Sequence, residues 1–165
     1  MKKFFVSIFI ILFFASDSFS ATLEGGVKYD TQSAREYVFS EIPQFKLQAD
    51  TPYFFKRGAN VEKVIYTYDN FNKIIGITVQ YKNELNKAYI YDSDKNLIYI
   101  DIYDKNTNVY PHRGYRYNMQ GKLILTSLSV NRDEHFRFDY HGNLIAHSIN
   151  NVIYDEKGNK LGTSK

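Results

Sequence analysis

The chain of 165 residues contains no cysteine and no tryptophan, and it has only three prolines and nine glycines. Without cysteine it can form no disulfide framework, no thiolate metal site and no cysteine nucleophile. The GxSxG, HExxH, GxxxxGK[ST] and GxGxxG motifs of common enzyme and nucleotide-binding families are also missing. We therefore expect a protein that is not an enzyme, holds no cofactor and depends on side-chain packing for its stability.

Charge gives little indication of a partner. The chain has 21 basic and 18 acidic residues, a formal net charge of +3, and no dense run of one sign. Nucleic-acid-binding proteins carry a concentrated basic patch. The sequence therefore predicts no nucleic-acid partner.

The one long apolar run lies at the start of the chain. Residues 4–15 are apolar, follow two lysines and are too few to span a bilayer comfortably. Small residues up to Ser20 favour a cut before Ala21, so residues 1–20 are predicted to be a secretory signal peptide. The chain has no Asn-x-Ser/Thr sequon, which favours a bacterial periplasmic or secreted protein. No later run is apolar enough for a membrane span, so none is expected after cleavage. The alternative is an uncleaved membrane anchor.

Residues 31–42 are the only convincing helical segment. Ser33 and Glu36 have the spacing of a capping box, and Pro43 would end the helix. The apolar face would carry Ala34, Tyr37, Val38 and Ile42. Residues 21–60 are therefore predicted to form a helix and an extended segment that pack on a sheet.

From residue 61 onward the sequence repeats one pattern five times: an aromatic residue, Asp or Asn, two variable residues, and then Gly, Asn or Lys. In four copies a second aromatic lies two residues upstream, which places both rings on one face of a strand. Asp or Asn can start a turn, and glycine then supplies the left-handed conformation of a hairpin. The predicted turn residues are Asp69, Asp92, Asn118, Gly121, Asp139, Gly142, Asp155 and Gly158.

The first two copies lack the glycine. Asn72 and Lys95 stand in its place. Because lysine tolerates the left-handed conformation poorly, the second turn is predicted to shift by one residue, so that Asn96 takes the left-handed position. Residues 61–165 are predicted to be a mainly β domain, an antiparallel meander of about eight to ten strands. The meander would form an open twisted sheet or a small barrel, with one short helix before it.

The unit Tyr-x-Tyr-Asp-x-x-Gly-Asn-Leu-Ile resembles the tyrosine–aspartate (YD, or Rhs-type) repeats of bacterial surface and toxin-shell proteins. It is less similar to MORN-type hairpin repeats. The resemblance covers roughly residues 66–161, with the best copies at 89–98, 136–145 and 154–161. It implies the hairpin architecture alone, since five copies are too few to enclose a toxin, and it implies no catalytic residue.

Three histidines, His135, His141 and His147, are spaced six residues apart near acidic residues. They are candidate metal ligands or part of a small hydrolase site. His141 falls in a predicted turn and the other two in its flanking strands, so we expect no metal site. The repeated aspartates are explained as turn formers.

The candidate binding surface consists of Tyr53, Phe54, Phe55, Tyr99, Tyr103, Tyr110, His112 and Arg113. Tyr53, Phe54 and Phe55 are consecutive, so they cannot all be buried on one side of a strand. Tyr99 and Tyr103 alternate with isoleucines, so either the tyrosines or the isoleucines of that strand face outward. Residues 110–115 form the longest irregular insertion among the repeats, which suits a contact loop.

These features favour an exported, non-catalytic scaffold or interaction protein of the bacterial envelope, whose partner is another envelope or extracellular protein. A carbohydrate- or peptidoglycan-binding module that uses exposed Tyr and Asn is the alternative, with polysaccharide as its ligand. An inhibitor or immunity-type protein is a further alternative, because it needs only a rigid complementary surface.

Overall fold

A computed structural model describes residues 28–69 and 71–163. The predicted signal peptide over residues 1–20 lies outside this range. The described residues contain one helix, α1 (Thr31–Phe39), and ten strands. The strands are β1 (Val61–Tyr68), β2 (Ile74–Tyr81), β3 (Lys87–Tyr91), β4 (Leu97–Tyr103), β5 (His112–Asn118), β6 (Leu123–Ser129), β7 (Glu134–Asp139), β8 (Leu144–Ile149), β9 (Val152–Tyr154) and β10 (Lys160–Thr163).

The ten strands form one antiparallel sheet in which each strand pairs with the next along the chain. Within the described residues β1 and β10 do not pair with each other, so the sheet is open and these two strands are its edges. The predicted mainly β meander with one short helix is confirmed. Of the two predicted forms, the chain adopts the open sheet.

All five repeat turns lie at the same end of the sheet, and a side-chain carboxylate or amide oxygen closes each of them. In the β7–β8 turn, Asp139 Oδ1 accepts hydrogen bonds from the backbone N–H groups of His141 and Asn143, both at 2.9 Å. Gly142 follows with φ 87°. Asn72, Lys95, Gly121 and Gly158 take the same left-handed position in the other turns.

The expected shift in the second turn is wrong, because Lys95 itself has φ 69°. The side chain of Asp92 still accepts the backbone N–H of Asn96, at 2.8 Å, as its counterparts do in the other turns. The hydrogen bond thus holds the turn in register although lysine is a poor residue for that conformation.

Strand alternation places the paired aromatics of the repeat on one face of the sheet, which we call the core face. Its buried rings include Tyr89, Tyr91, Tyr115, Tyr117, Phe136 and Phe138. Helix α1 packs on this face over β6 and β7, with Ala34 and Val38 fully buried. The repeat therefore builds a hydrophobic layer, and the N-terminal region covers part of it.

The N-terminal cap of α1 lies three residues before the predicted one. Asp30 is the N-cap, and its Oδ1 accepts the N–H of Ser33 at 2.7 Å while Ser33 Oγ accepts the N–H of Asp30 at 3.0 Å. The capping box is thus Asp30–Ser33 and not Ser33–Glu36. The helix ends at Phe39, so Ile42 lies beyond it and is 41% exposed.

Core tyrosines tie the segment after α1 to the sheet through their phenol groups. Tyr115 Oη donates to the carbonyl of Glu41 at 2.7 Å, and Tyr91 Oη donates to the carbonyl of Pro52 at 2.9 Å. Tyr117 donates to the carbonyl of Pro43. Each ring is therefore buried among apolar groups while its hydroxyl satisfies a backbone oxygen of the covering segment.

Relief of the strain at Lys95 should stabilise the protein. We expect Lys95→Gly to raise the free energy of unfolding by about 0.5–1 kcal/mol, because glycine adopts positive φ without steric cost. Gly142→Ala should lower it by about 1 kcal/mol for the opposite reason. Urea denaturation measures both, and Lys95→Asn should fall between wild type and Lys95→Gly. A Lys95→Gly variant no more stable than wild type would contradict this prediction.

Candidate functional site

The sheet face opposite α1, which we call the polar face, carries ionisable side chains at its centre. No described helix or strand packs over it. Its central residues lie on four adjacent strands: Tyr99, Asp101 and Tyr103 on β4, His112, Gly114 and Arg116 on β5, Ser127 and Ser129 on β6, and His135 and Arg137 on β7. Cross-strand pairing brings these residues together.

Asp101 and Arg116 form a buried ion pair between β4 and β5. Arg116 Nε donates to Asp101 Oδ1 and Arg116 Nη2 to Asp101 Oδ2, each at 2.7 Å, and both residues are less than a tenth exposed. The guanidinium also lies 5.5 Å from the ring centre of Tyr99. Burial opposes the charge of Arg116, but the carboxylate of Asp101 outweighs burial and raises its pKa.

A second arginine lies on the same face. Burial, together with the positive charge of Arg116, lowers the pKa of Arg137 to about 10. Burial also raises the pKa of Tyr103, and the nearby carboxylate of Asp101 adds to this shift, so the phenol is protonated at neutral pH. Both arginines therefore lie on the same face of the sheet as Asp101.

Gly114 makes room for the ring of Tyr103 within this cluster. A Cβ at Gly114 would lie 2.6 Å from Ser127 Oγ and 3.0 Å from the Tyr103 ring. These residues and Arg137 form one cross-strand row, in the order Tyr103, Gly114, Ser127 and Arg137. The tyrosine ring therefore lies across β5 in the space that a side chain would fill.

Two buried histidines close one end of the polar face. His112 Nδ1 donates to the carbonyl of Val109 at 3.1 Å, and His135 Nε2 donates to that of Arg132 at 3.0 Å, so each ring holds a loop. Burial lowers the pKa of His112 and brings the pKa of His135 to about 4. Both histidines are therefore neutral at neutral pH.

Ser129 lies between these histidines in the cross-strand row. It is 1% exposed, and its Oγ has no hydrogen-bond partner among the described residues. A buried hydroxyl without a partner is costly, so this atom indicates a place for a further polar group.

The structure places the candidate surface residues in three environments. Tyr99 and Tyr103 lie on the polar face and are partly exposed, and Tyr110 lies beside it with its ring centre 5.1 Å from that of His112. Tyr53 and Phe54 are 53% and 58% exposed.

The other candidates are covered. Phe55 is buried against Tyr91, and His112 is buried at the end of the polar face. Arg113 points to the core face, where Nε donates to Asp104 at 2.8 Å and Nη2 to Glu41 at 3.3 Å. The irregular insertion predicted over residues 110–115 is mostly strand, because β5 begins at His112.

The three spaced histidines lie apart. His135 is on the polar face, and His141 is exposed in the β7–β8 turn. His147 is on the core face, where its ring stacks on Phe136 at 3.9 Å and its Nε2 lies 3.0 Å from Glu134 Oε1. Across residues 28–69 and 71–163, no three His, Asp or Glu side chains are grouped as metal ligands would be.

The sequence analysis missed the cluster of Asp101, Arg116 and Arg137, although a signal for it exists. Each arginine stands between the two paired aromatics of a repeat copy, in Tyr-Arg-Tyr and Phe-Arg-Phe. Because the aromatics mark the core face, the residue between them must point to the opposite face. Asp101 likewise alternates with the isoleucines of β4.

A second feature is a set of four exposed aromatic rings, which we call the aromatic corner. It consists of Tyr53, Phe54, Tyr68 and Phe71, which are 53%, 58%, 54% and 90% exposed. Tyr68 ends β1 and Phe71 lies in the β1–β2 turn, while the backbone of Phe54 bridges to Asn96 in the β3–β4 turn. These turns lie at the same end of adjacent hairpins, about 10 Å apart at the usual strand spacing.

A polar cleft of about 380 Å³ lies beside Phe54. Its lining is Gln48, Asp50, Thr51, Pro52, Phe54, Lys56, Asn60, Tyr81, Asn83, Glu84 and Tyr89. Glu84 accepts hydrogen bonds from Tyr89 Oη at 2.7 Å and from Lys87 Nζ. Burial opposes the charge of Glu84, but these two donors outweigh burial and lower its pKa.

Comparisons with protein-family models, curated proteins and solved structures found no match to this chain. None of the described helical residues forms a helix long and apolar enough to cross a bilayer.

Removal of one partner of the buried ion pair should destabilise the protein more than removal of both. We expect Asp101→Asn to lower the free energy of unfolding by about 3 kcal/mol, because Arg116 stays buried without its counter-charge. The double variant Asp101→Asn/Arg116→Met should lose less. A double-mutant cycle by urea denaturation measures the coupling. Glu41→Gln, at the exposed pair with Arg113, is the control and should change stability by less than about 1 kcal/mol.

His135 should make stability depend on mildly acidic pH. The pKa of His135 is about 4 in the folded state and about 6.5 in the unfolded chain, so the unfolded chain binds more protons between these values. Its contribution is complete above pH 6.5 and decreases by about 3 kcal/mol as the pH falls to 4. We expect His135→Gln to lose less stability than wild type between pH 7 and pH 4.5 in urea denaturation. His141→Gln, an exposed control, should behave as wild type, and equal pH dependence in all three would contradict the assignment.

Proposed function

We propose that this chain is an exported, non-catalytic protein of the bacterial envelope that binds another protein through the aromatic corner. The observation that carries the proposal is the exposure of four rings, Tyr53, Phe54, Tyr68 and Phe71, each of which is more than half exposed. Tyr68 is the last residue of edge strand β1. Export rests on the leader-like residues 1–20, and the YD-type hairpin repeat supplies the rigid scaffold.

Grouped exposed rings support a protein partner. Soluble proteins seldom leave several large apolar side chains exposed in one place unless a partner covers them. Tyrosine and phenylalanine are enriched at interfaces because they bury a large area for the loss of few side-chain torsions. The aromatic corner therefore has the composition of an interface core.

Edge strand β1 adds a means of recognition. It has eight residues, whereas the other edge strand, β10, has four. No described strand pairs with the outer side of β1, so its backbone groups can bind an extended segment of a partner. A segment added there would run towards Tyr68 and Phe71, which follow at the end of the strand.

The test is an affinity pull-down from native envelope extract, with the chain from Ala21 as bait and mass spectrometry as the readout. We expect one enriched protein, and we expect at least a tenfold loss when Tyr53, Phe54, Tyr68 and Phe71 are all changed to Ser. The matched control changes four other exposed apolar residues to Ser: Val109, Tyr140, Ile145 and Leu161. Binding should survive in the control.

Equal loss in both variants, or no loss in either, would refute the aromatic corner as the interface. Binding of the purified partner to the purified bait would then be measured directly with wild type and both variants. If the partner is an enzyme that loses activity on binding, the inhibitor or immunity-type role is the correct subclass of the proposal.

Carbohydrate binding is a second candidate, favoured by the polar cleft beside Phe54. Amide, carboxylate and phenol groups line the cleft next to one exposed ring, which is the combination that sugar recognition requires. Co-sedimentation with insoluble peptidoglycan tests it. Retention that is lost in Gln48→Ala/Asn83→Ala, in the absence of any protein partner, would replace the protein-binding proposal with this one.

A further inference from the structure

The polar cleft beside Phe54 is lined by two charged side chains of opposite sign that do not pair with each other. Asp50 and Lys56 both line it, and both are exposed. Among the described residues, neither side chain has a hydrogen bond or an ion pair. The cleft holds about 380 Å³, which is enough for a small molecule. Its size and its two opposite charges point to a ligand that carries both charges.

The carboxylate of Asp50 lies near the phenol of Tyr89, which is also part of the lining. Burial raises the pKa of this phenol, and the carboxylates of Glu84 and Asp50 raise it further. Since the effect of a charge decreases with distance, Asp50 is close to the phenol and not turned away from the cleft. Tyr89 Oη donates its proton to Glu84 at 2.7 Å, so its oxygen can still accept one. Asp50 and Tyr89 together offer acceptors for an ammonium group.

The other carboxylate of the cleft is satisfied within the protein. Glu84 accepts hydrogen bonds from Lys87 Nζ and from Tyr89 Oη, and the charge of Lys87 balances its own. The charges that remain for a ligand are one negative group, at Asp50, and one positive group, at Lys56. A ligand with one ammonium and one carboxylate matches both, whereas a singly charged ligand would desolvate one of them without a counter-charge.

We propose that the cleft binds a small zwitterion, a free amino acid or a short peptide, with its ammonium group at Asp50 and its carboxylate at Lys56. This site goes beyond the protein interface proposed above, and its ligand class differs from the carbohydrate considered there. It shares Phe54 with the aromatic corner. Its two charged groups lie outside that corner, so variants of Asp50 and Lys56 test it separately.

The rest of the lining fits the remainder of such a ligand. Phe54 and Lys56 stand on either side of buried Phe55, and both line the cleft, so an apolar ring lies near the positive charge. The ring of Phe54 is 58% exposed and can contact an apolar side chain of the ligand. Thr51 Oγ accepts the backbone N–H of Gln48 at 3.1 Å and keeps its own proton for a carboxylate.

The first experiment titrates the protein with L-leucine and follows backbone ¹H–¹⁵N NMR signals, with thermal unfolding in parallel. We expect saturable shifts at Thr51, Lys56 and Asn83 and a rise in Tm. N-acetyl-leucine lacks the ammonium group, and leucine amide lacks the carboxylate. Each should bind about tenfold more weakly than leucine, because each loses a charge-assisted hydrogen bond.

Two variants assign the charged groups. Asp50→Asn should no longer distinguish leucine from N-acetyl-leucine, and Lys56→Gln should no longer distinguish leucine from leucine amide. The matched controls are Asp133→Asn, in the loop between β6 and β7, and Lys160→Gln, at the start of β10. Both remove an exposed charge away from the cleft and should bind leucine as wild type does.

Leucyl-leucine distinguishes the two sources of the ligand: tighter binding than leucine identifies a short peptide, and binding no tighter identifies a free amino acid. Absence of saturation, equal binding of leucine and its two blocked forms, or unchanged discrimination in the Asp50 and Lys56 variants would overturn the proposal. Tighter binding of the neutral tetramer of N-acetylglucosamine than of leucine would also overturn it, in favour of a carbohydrate.

Discussion

The structure depends on one local interaction, the capture of backbone N–H groups by an Asp or Asn side chain in each repeat turn. Asp139 Oδ1 holds two such groups, and Asp69, Asn118 and Asp155 do the same in their turns. A closed turn fixes the register of its hairpin, and a slip of one residue would move every side chain to the other face. The separation of an aromatic face from a polar face therefore begins in these turns.

The two faces are stabilised in different ways. On the core face, tyrosine rings fill the layer while phenols such as those of Tyr91 and Tyr115 hold the covering segment by its carbonyl groups. On the polar face, Asp101 and Arg116 satisfy each other. A single open sheet without disulfides thus combines an apolar layer, which supplies stability, with a charged one, whose desolvation has to be offset.

The proposed interface departs from this arrangement, because the aromatic corner leaves rings such as Phe71 in water. These exposed rings do not contribute to the stability of the isolated sheet. A protein partner that covers the corner would remove this cost.

Local patterns in the sequence determined the antiparallel β meander, the turn residues and the aromatic side of each strand, because turn chemistry and a two-residue period act between near neighbours. The same period was sufficient to indicate that Arg116 points away from the core. Only the tertiary structure decided that the sheet stays open, that Phe55 and His112 are buried, and that Arg113 faces α1. Those outcomes depend on which distant segments pack together, and contacts between residues far apart in the chain leave no periodic signal in the sequence.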